Sequence, residues 1–376
     1  MNKLSVSMVG DLILEAPGPM EYYFSSIGET LKAQDISLGH LETPHCTPER
    51  AQSCCIDIPA PPSPPEHLNS LVGLFHAVST AGNHAFDCGP NGVIDTCANL
   101  DALGIPHCGT GANIEAAKAP VFLEKNGMKI GLLSYNLAGP SLGWATSQKA
   151  GCNYVRVNTA YTPARDMPGC PPKIHTWINA EDIEKYRAEI RQLKSSCDVA
   201  IILVHQGNGG DGPALSEYET FFARDCIDCG ADAVFAHHHH ILKGMEIYKG
   251  KPVYYGLGNF VCATYAMTLG YNKTPEMLAY LKQREREGRG GGKYPVDFYP
   301  WSEDSRMTGI AKVVFSPDAD PEAYFIPCFI EPDGRITLRT RENGDKIFDY
   351  VCRRVSGAGL NARLSWSEDG ESIRIK

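Results

Sequence analysis

The chain has 376 residues, 43% of them hydrophobic, and a formal net charge of −9. That supplies a core for one large or two modest soluble domains, and the acidic balance argues against nucleic acid as a partner. A small or polymeric anionic substrate would need local positive charge, which bound metal can supply.

From the N-terminus, an apolar run from Leu4 to Val9 leads into Gly10-Asp11. The run is too short for a membrane span and lacks the layout of a signal peptide, and no later stretch reaches spanning length. The expectation is a cytoplasmic protein with no membrane span. Four further runs read as buried strands. They are Asp35 to Leu41 ending in Glu42, Phe75 to Ala81 ending in Gly82-Asn83-His84, Asp198 to Val204 ending in His205, and Ala233 to Ala236 ending in His237 to His240. Helical periodicity lies between them, from Asn91 to Leu103 and from Ala180 to Leu193. Strands alternating with helices predict an α/β layer architecture with mostly parallel strands. Ligands bind such sheets outside the carboxyl ends of the strands, and all five polar terminations fall on that edge.

Two stretches interrupt the pattern. Gly139 to Asn179 is rich in proline and glycine and reads as a long surface loop, and Thr264 to Arg306 holds a candidate helix from Pro275 to Glu287. Loops of this length are usually lids or binding elements. Gly309 to Phe315, Ala323 to Ile330 and Ile336 to Leu338 then read as closing strands, and the tail from Ser356 carries little pattern. Among fourteen cysteines, Cys226 and Cys229 follow a helical pattern of Tyr218, Phe221 and Phe222. With no second pair at zinc spacing, they read as core packing.

The histidine run lies between a Gly-Ala-Asp turn and a hairpin-like Lys249-Gly250-Lys251, so it is not a terminal tag. Side chains alternate along a strand, so His238 with His240, or else His237 with His239, can meet in one pocket. Collected, the strand ends offer Asp11, Glu42, Asn83, His84, His205, His238 and His240. Carboxylate, carboxamide and imidazole suit Zn, Mn or Fe. Seven candidates exceed what one four-coordinate ion needs, which favours two ions roughly 3.5–4 Å apart.

The motif order is informative: Gly10-Asp11, His40-Leu41-Glu42, Gly82-Asn83-His84-Ala85-Phe86-Asp87-Cys88-Gly89, His205-Gln206-Gly207, Gly230 to His240, and Leu257-Gly258-Asn259-Phe260. It resembles that of calcineurin-like metallophosphoesterases. The likeness is closer to their bacterial capsule-synthesis branch, the CapA family associated with poly-γ-glutamate biosynthesis. It covers about residues 4–262 and 309–330. The resemblance implies a metallophosphoesterase-like four-layer α/β/β/α sandwich with inserted loops at about 139–179 and 264–306. The expected domain runs over residues 1–350, with a C-terminal tail at 351–376.

Residue by residue, the resemblance implies that Asp11 and His240 hold a first divalent transition metal ion (Mn, Zn or Fe). Glu42 would bridge to a second ion completed by Asn83, His205 and His238. His84 would face the substrate and protonate the leaving oxygen or stabilise its charge, with Asp87 orienting it. The implied activity is metal-dependent hydrolysis of a phosphoester or related anionic bond. The alternative is a non-catalytic or accessory component that binds polyanions during poly-γ-glutamate or capsule synthesis.

The chain also departs from the pattern. Most metallophosphoesterases open with Asp-x-His, whereas Leu12 and Ile13 follow Asp11, so the first ion lacks one ligand, a gap that CapA-type sequences share. His40 stands where Asn is usual, as an extra ligand or a packing residue. Gln206 replaces Trp, His239 replaces Pro and Ala236 replaces Gly.

Overall fold

Along the strand Leu4–Leu14, Leu4, Val6 and Met8 enter one apolar cluster while Val9, Leu12 and Leu14 enter another. This is the two-residue alternation of a strand with both faces covered. The computed structural model describes residues 3–52, 54, 60–167, 169–208, 212–264, 301–317 and 319–376. Its first cluster joins Leu4, Val6 and Met8 to Ile201 and Leu203 of the strand Val199–His205, which belongs to a second sheet. On the far face of that strand, Ala200, Ile202 and Val204 pack with Tyr186, Ile190 and Phe222 of the helices Ala180–Ser195 and Glu217–Asp228. On the far face of the first sheet, Tyr23, Phe24, Leu31 and Leu100 from short helices and from the helix Gly89–Ala102 cover Val9, Leu12 and Leu14. Three apolar interfaces therefore separate four layers, α/β/β/α, as expected.

Both sheets carry a parallel centre. In the first, Leu4–Leu14, Ile36–Leu41, Ala77–Ser79 and His107–Cys108 run parallel, and Met307–Ser316 and Ala319–Ile330 extend the other side antiparallel. In the second, Met128–Asn136, Val199–His205, Ala233–His237 and Lys251–Tyr254 run parallel. Met245–Tyr248 pairs antiparallel with the last of these through Lys249 and Gly250, at φ 49° and 78°. Positive φ at both central residues is what a tight hairpin requires. The carboxyl ends of the two parallel groups meet, and the polar strand ends meet with them.

Three expectations change. The first strand does not stop at Val9 but runs through Asp11 to Leu14, with register shifts on both sides of Asp11. Such irregularities re-aim a side chain without ending the strand. The stretch read as a loop from Gly139 to Asn179 contains the antiparallel pair Val157–Pro163 and Pro172–Ile178, missed because alternation there is weak and largely exposed. Beyond position 350 the chain stays within the same packing. The helix Asp345–Gly357 buries Ile347, Tyr350 and Val351, and Ile373 and Ile375 join the core between the sheets. The expected helix from Pro275 to Glu287 lies outside the described residues. Among the described residues no helix is long and apolar enough to cross a membrane.

Candidate metal centre

Asp11 is placed by a close backbone approach. Its N–H donates to Gly258 O at 2.9 Å, and a Cβ on Gly10 would lie 1.8 Å from that same oxygen. Only glycine fits at position 10. Asn259, the next residue of Leu257-Gly258-Asn259-Phe260, pairs with Asp11 across the strands, and its Oδ1 lies 2.8 Å from His240 Nδ1. The motif thus positions a carboxylate and an imidazole together.

Asp11 is fully buried and Glu42 is 1% exposed. Asp11 Oδ1 and both Glu42 carboxylate oxygens lack hydrogen-bond partners. Among the described residues only histidines come within ion-pair range. His240 Nδ1 is 3.5 Å from Asp11 Oδ2, His240 Nε2 is 3.6 Å from Glu42 Oε1, and His237 Nδ1 is 3.8 Å from Asp11 Oδ1. Burial, and then the neighbouring Glu42, hold the Asp11 carboxyl well above the usual carboxylate range. Two buried carboxylates without counter-charge are costly and call for a cation. The ligand atoms of Asp11, Glu42 and His240 lie within 4.8 Å of one another, as do those of Asp11, His40, His205 and His237. These donor sets fit a divalent metal.

The four consecutive histidines do not alternate. His238 and His240 have positive φ, 101° and 57°, so the chain leaves the strand as it passes them. Such backbone strain in non-glycine residues gathers at functional sites. His237 turns toward Asp11 and His205, while His240 reaches Asp11 and Glu42. His239 faces away, its Nε2 2.8 Å from Glu219 Oε1. The other oxygen of Glu219 accepts the Ser216 N–H that caps the helix Glu217–Asp228. His238 brings its backbone N–H to 3.4 Å from Asp11 Oδ2 and its ring to 4.5 Å from that of His205, with Nδ1 buried and unpartnered.

Across the cleft, His205 Nε2 lies 2.6 Å from Asn83 Oδ1. His40 stacks on His237 with ring centroids 3.7 Å apart, and its Nδ1 contacts Ser79 Oγ at 2.9 Å. Burial pushes His40 down to about 3 and also lowers His205, His237 and His238, so these rings are neutral, the form that ligates metal.

His84 stands apart from the ligand atoms. Its Nδ1 is 2.6 Å from Asp87 Oδ2, and its side chain keeps 22% exposure while that of Asp87 has none. Asp87 also accepts the Ala60 N–H. Burial lowers His84, but the charge and hydrogen bond of Asp87 outweigh it and raise it to about 9.

Residues 5–264 match the family described as Bacterial capsule synthesis protein PGA_cap. The chain belongs to that family. The PGA_cap chain is 25% identical over 310 residues to the PGA biosynthesis protein CapA of Bacillus subtilis, covering 79% of this chain and 72% of that protein. It is 25% identical over 269 residues to the capsule biosynthesis protein CapA of Bacillus anthracis, covering 69% and 60%. An uncharacterized protein of Sinorhizobium fredii, y4sH, is 27% identical over 325 residues, covering 72% and 69%. A solved structure described as a novel phosphatase, from Mycoplasma pneumoniae, is 12% identical at a TM-score of 0.43, covering 89% of this chain and 91% of that one. That likeness supports no inference about activity.

Within this PGA_cap site, Asp11, Glu42, Asn83, His205, His238 and His240 all reach one cleft, beside His84 and Asp87. Sequence reasoning left His40 open as a ligand or a packing residue, and offered His237 only as the alternative, paired with His239. The signal available for both was their position, His237 as the last residue of its strand and His40 two residues before Glu42.

Proposed function

We propose that the chain is a metal-dependent hydrolase of a phosphoester or related anionic substrate. What carries this reading is the pairing of two buried, uncompensated carboxylates, Asp11 and Glu42, with the nearby His84–Asp87 dyad, itself closed at 2.6 Å. Asp11, Glu42 and His240 would hold one ion and Asn83, His205 and His238, with Glu42 shared, a second, the ions being Mn, Zn or Fe in type. Bound there, such ions would supply Lewis acidity toward an anionic substrate. His240 donates its Nδ1–H to Asn259 Oδ1, which leaves Nε2 toward Glu42. His84 donates its Nδ1–H to Asp87 and keeps Nε2 for the substrate, where it gives a proton to the leaving oxygen.

The accessory, polyanion-binding reading has one observation in its favour. Ile13, where a ligating histidine is usual, packs instead with Cys262, Ile330 and Trp301, and the Trp301 ring lies 4.6 Å from that of His240. One comparison separates the two readings. In a hydrolase, His84→Ala retains its metals but slows phosphoester turnover by about 10²–10⁴-fold, and a non-hydrolysable phosphonate binds nearly as before. In a binder, the wild type shows no metal-dependent turnover and His84→Ala alters affinity alone. Metal content, turnover and phosphonate affinity on the two proteins decide it.

A further inference from the structure

His205 has a neighbour, His237, that the six-residue ligand assignment proposed above leaves out, although its ligand atom clusters with those of Asp11, His40 and His205. His205 Nδ1 lies 2.8 Å from His237 Nδ1, and His205 Nε2 lies 2.6 Å from Asn83 Oδ1. His237 is fully buried and stacked on His40, which contacts Ser79 from the opposite sheet. A neutral imidazole carries one N–H and one lone pair. Two facing Nδ1 atoms therefore fix each other's tautomer, because one must donate and the other accept.

Resting on the metal reading above, we propose that His237 is a positioning residue that sets the tautomer of His205 and thereby the affinity of the ion His205 holds. For His205 Nε2 to offer its lone pair to an ion, its proton must sit on Nδ1 and be accepted by His237 Nδ1, with the His237 proton on Nε2. Without an ion, the 2.6 Å contact to Asn83 Oδ1 requires a proton on His205 Nε2. His205 Nδ1 then accepts from His237 Nδ1–H. Ion binding exchanges one arrangement for the other, two protons being held by the pair in both. Asp11 Oδ1, 3.8 Å from His237 Nδ1, places this exchange beside the first ion as well. The partner of a ligating histidine's second nitrogen orients the ring and raises its basicity, and its loss typically costs 10–100-fold in metal affinity.

The test uses the full chain and Zn²⁺ in competition with a chromophoric chelator. His237→Leu, which cannot accept a hydrogen bond, is expected to weaken one ion by about 10–100-fold. His237→Asn, whose Oδ1 can take the place of Nδ1, is expected to recover most of that loss. Nitrogen-15 shifts of histidine-labelled wild type should show two imidazoles exchanging tautomer as Zn²⁺ is added, a readout that survives if the leucine variant fails to fold. Equal affinity in wild type and His237→Leu overturns the proposal, as does an asparagine variant no better than leucine, or Zn²⁺ binding without tautomer exchange. Wild type that binds no Zn²⁺ at all is a different result: it removes the metal reading itself.

Discussion

The two sheets bring chemically different halves to the cleft. The first contributes Asp11 and Glu42 with the single buried imidazole of His40, and from the loop after Ala77–Ser79 comes Asn83 with the His84–Asp87 dyad. The second contributes His205, His237, His238 and His240. Buried imidazoles become neutral at modest cost, so the histidine half is tolerable in an empty protein. Buried carboxylates have no such outlet short of taking up protons, and Asp11 is driven in that direction. The carboxylate half is therefore the part whose stability depends on what binds.

Removing the Asp11 charge should break this asymmetry most visibly. Asp11 belongs to both clusters able to hold a metal, so Asp11→Asn should lose at least one ion and more activity than the ~10²–10⁴-fold of a positioned acid. In chelator the same variant should melt higher than wild type at neutral pH, because the cost of burying an ionisable carboxyl beside Glu42 is gone. With metal the order should reverse. Thermal unfolding in both buffers checks it; a variant less stable in chelator would mean that Asp11 is already compensated.

A smaller effect should follow from giving Asp11 the imidazole that the Asp-x-His pattern would place at position 13. Ile13 is 4% exposed among Cys262, Ile330 and Trp301. Ile13→His should destabilise the metal-free protein by about 1–3 kcal/mol, the cost of an unpartnered buried polar group. Added metal should raise its melting temperature by more than that of wild type. An equal rise in both would show that position 13 does not border the ion.

The smallest effect lies away from the cleft and serves as its control. Burial raises Asp182, but hydrogen bonds from Arg156 outweigh it and hold the carboxyl below its ordinary 3.8. A depressed folded value means stability present above pH 3.8 and lost as pH falls through the depressed value. Asp182→Asn should therefore be less stable than wild type at pH 7, with the gap closing toward pH 3, and metal content unchanged. Urea unfolding at the two pH values measures it; a gap constant with pH would remove the ion pair as its cause.

The order of motifs and the alternation of apolar residues were enough to read the α/β class, the strands leading to Glu42, His205 and the histidine run, and Asp11, Glu42, Asn83, His205, His238 and His240 as neighbours. Each of these signals is local: an apolar run records burial, and a polar residue ending it records the sheet edge. Gly10 and Leu257-Gly258-Asn259 were visible as a pattern, yet their role needed two strands to touch, with Asp11 paired to Asn259. Periodicity also misjudged the histidine run, because alternation holds only while the backbone stays extended, and His238 and His240 turn to positive φ. The orientation of His237 toward His205, its stacking on His40 and the turning away of His239 to Glu219 were decided by tertiary structure alone. They depend on which lone pair meets which proton across two sheets, and no spacing along a single chain encodes that.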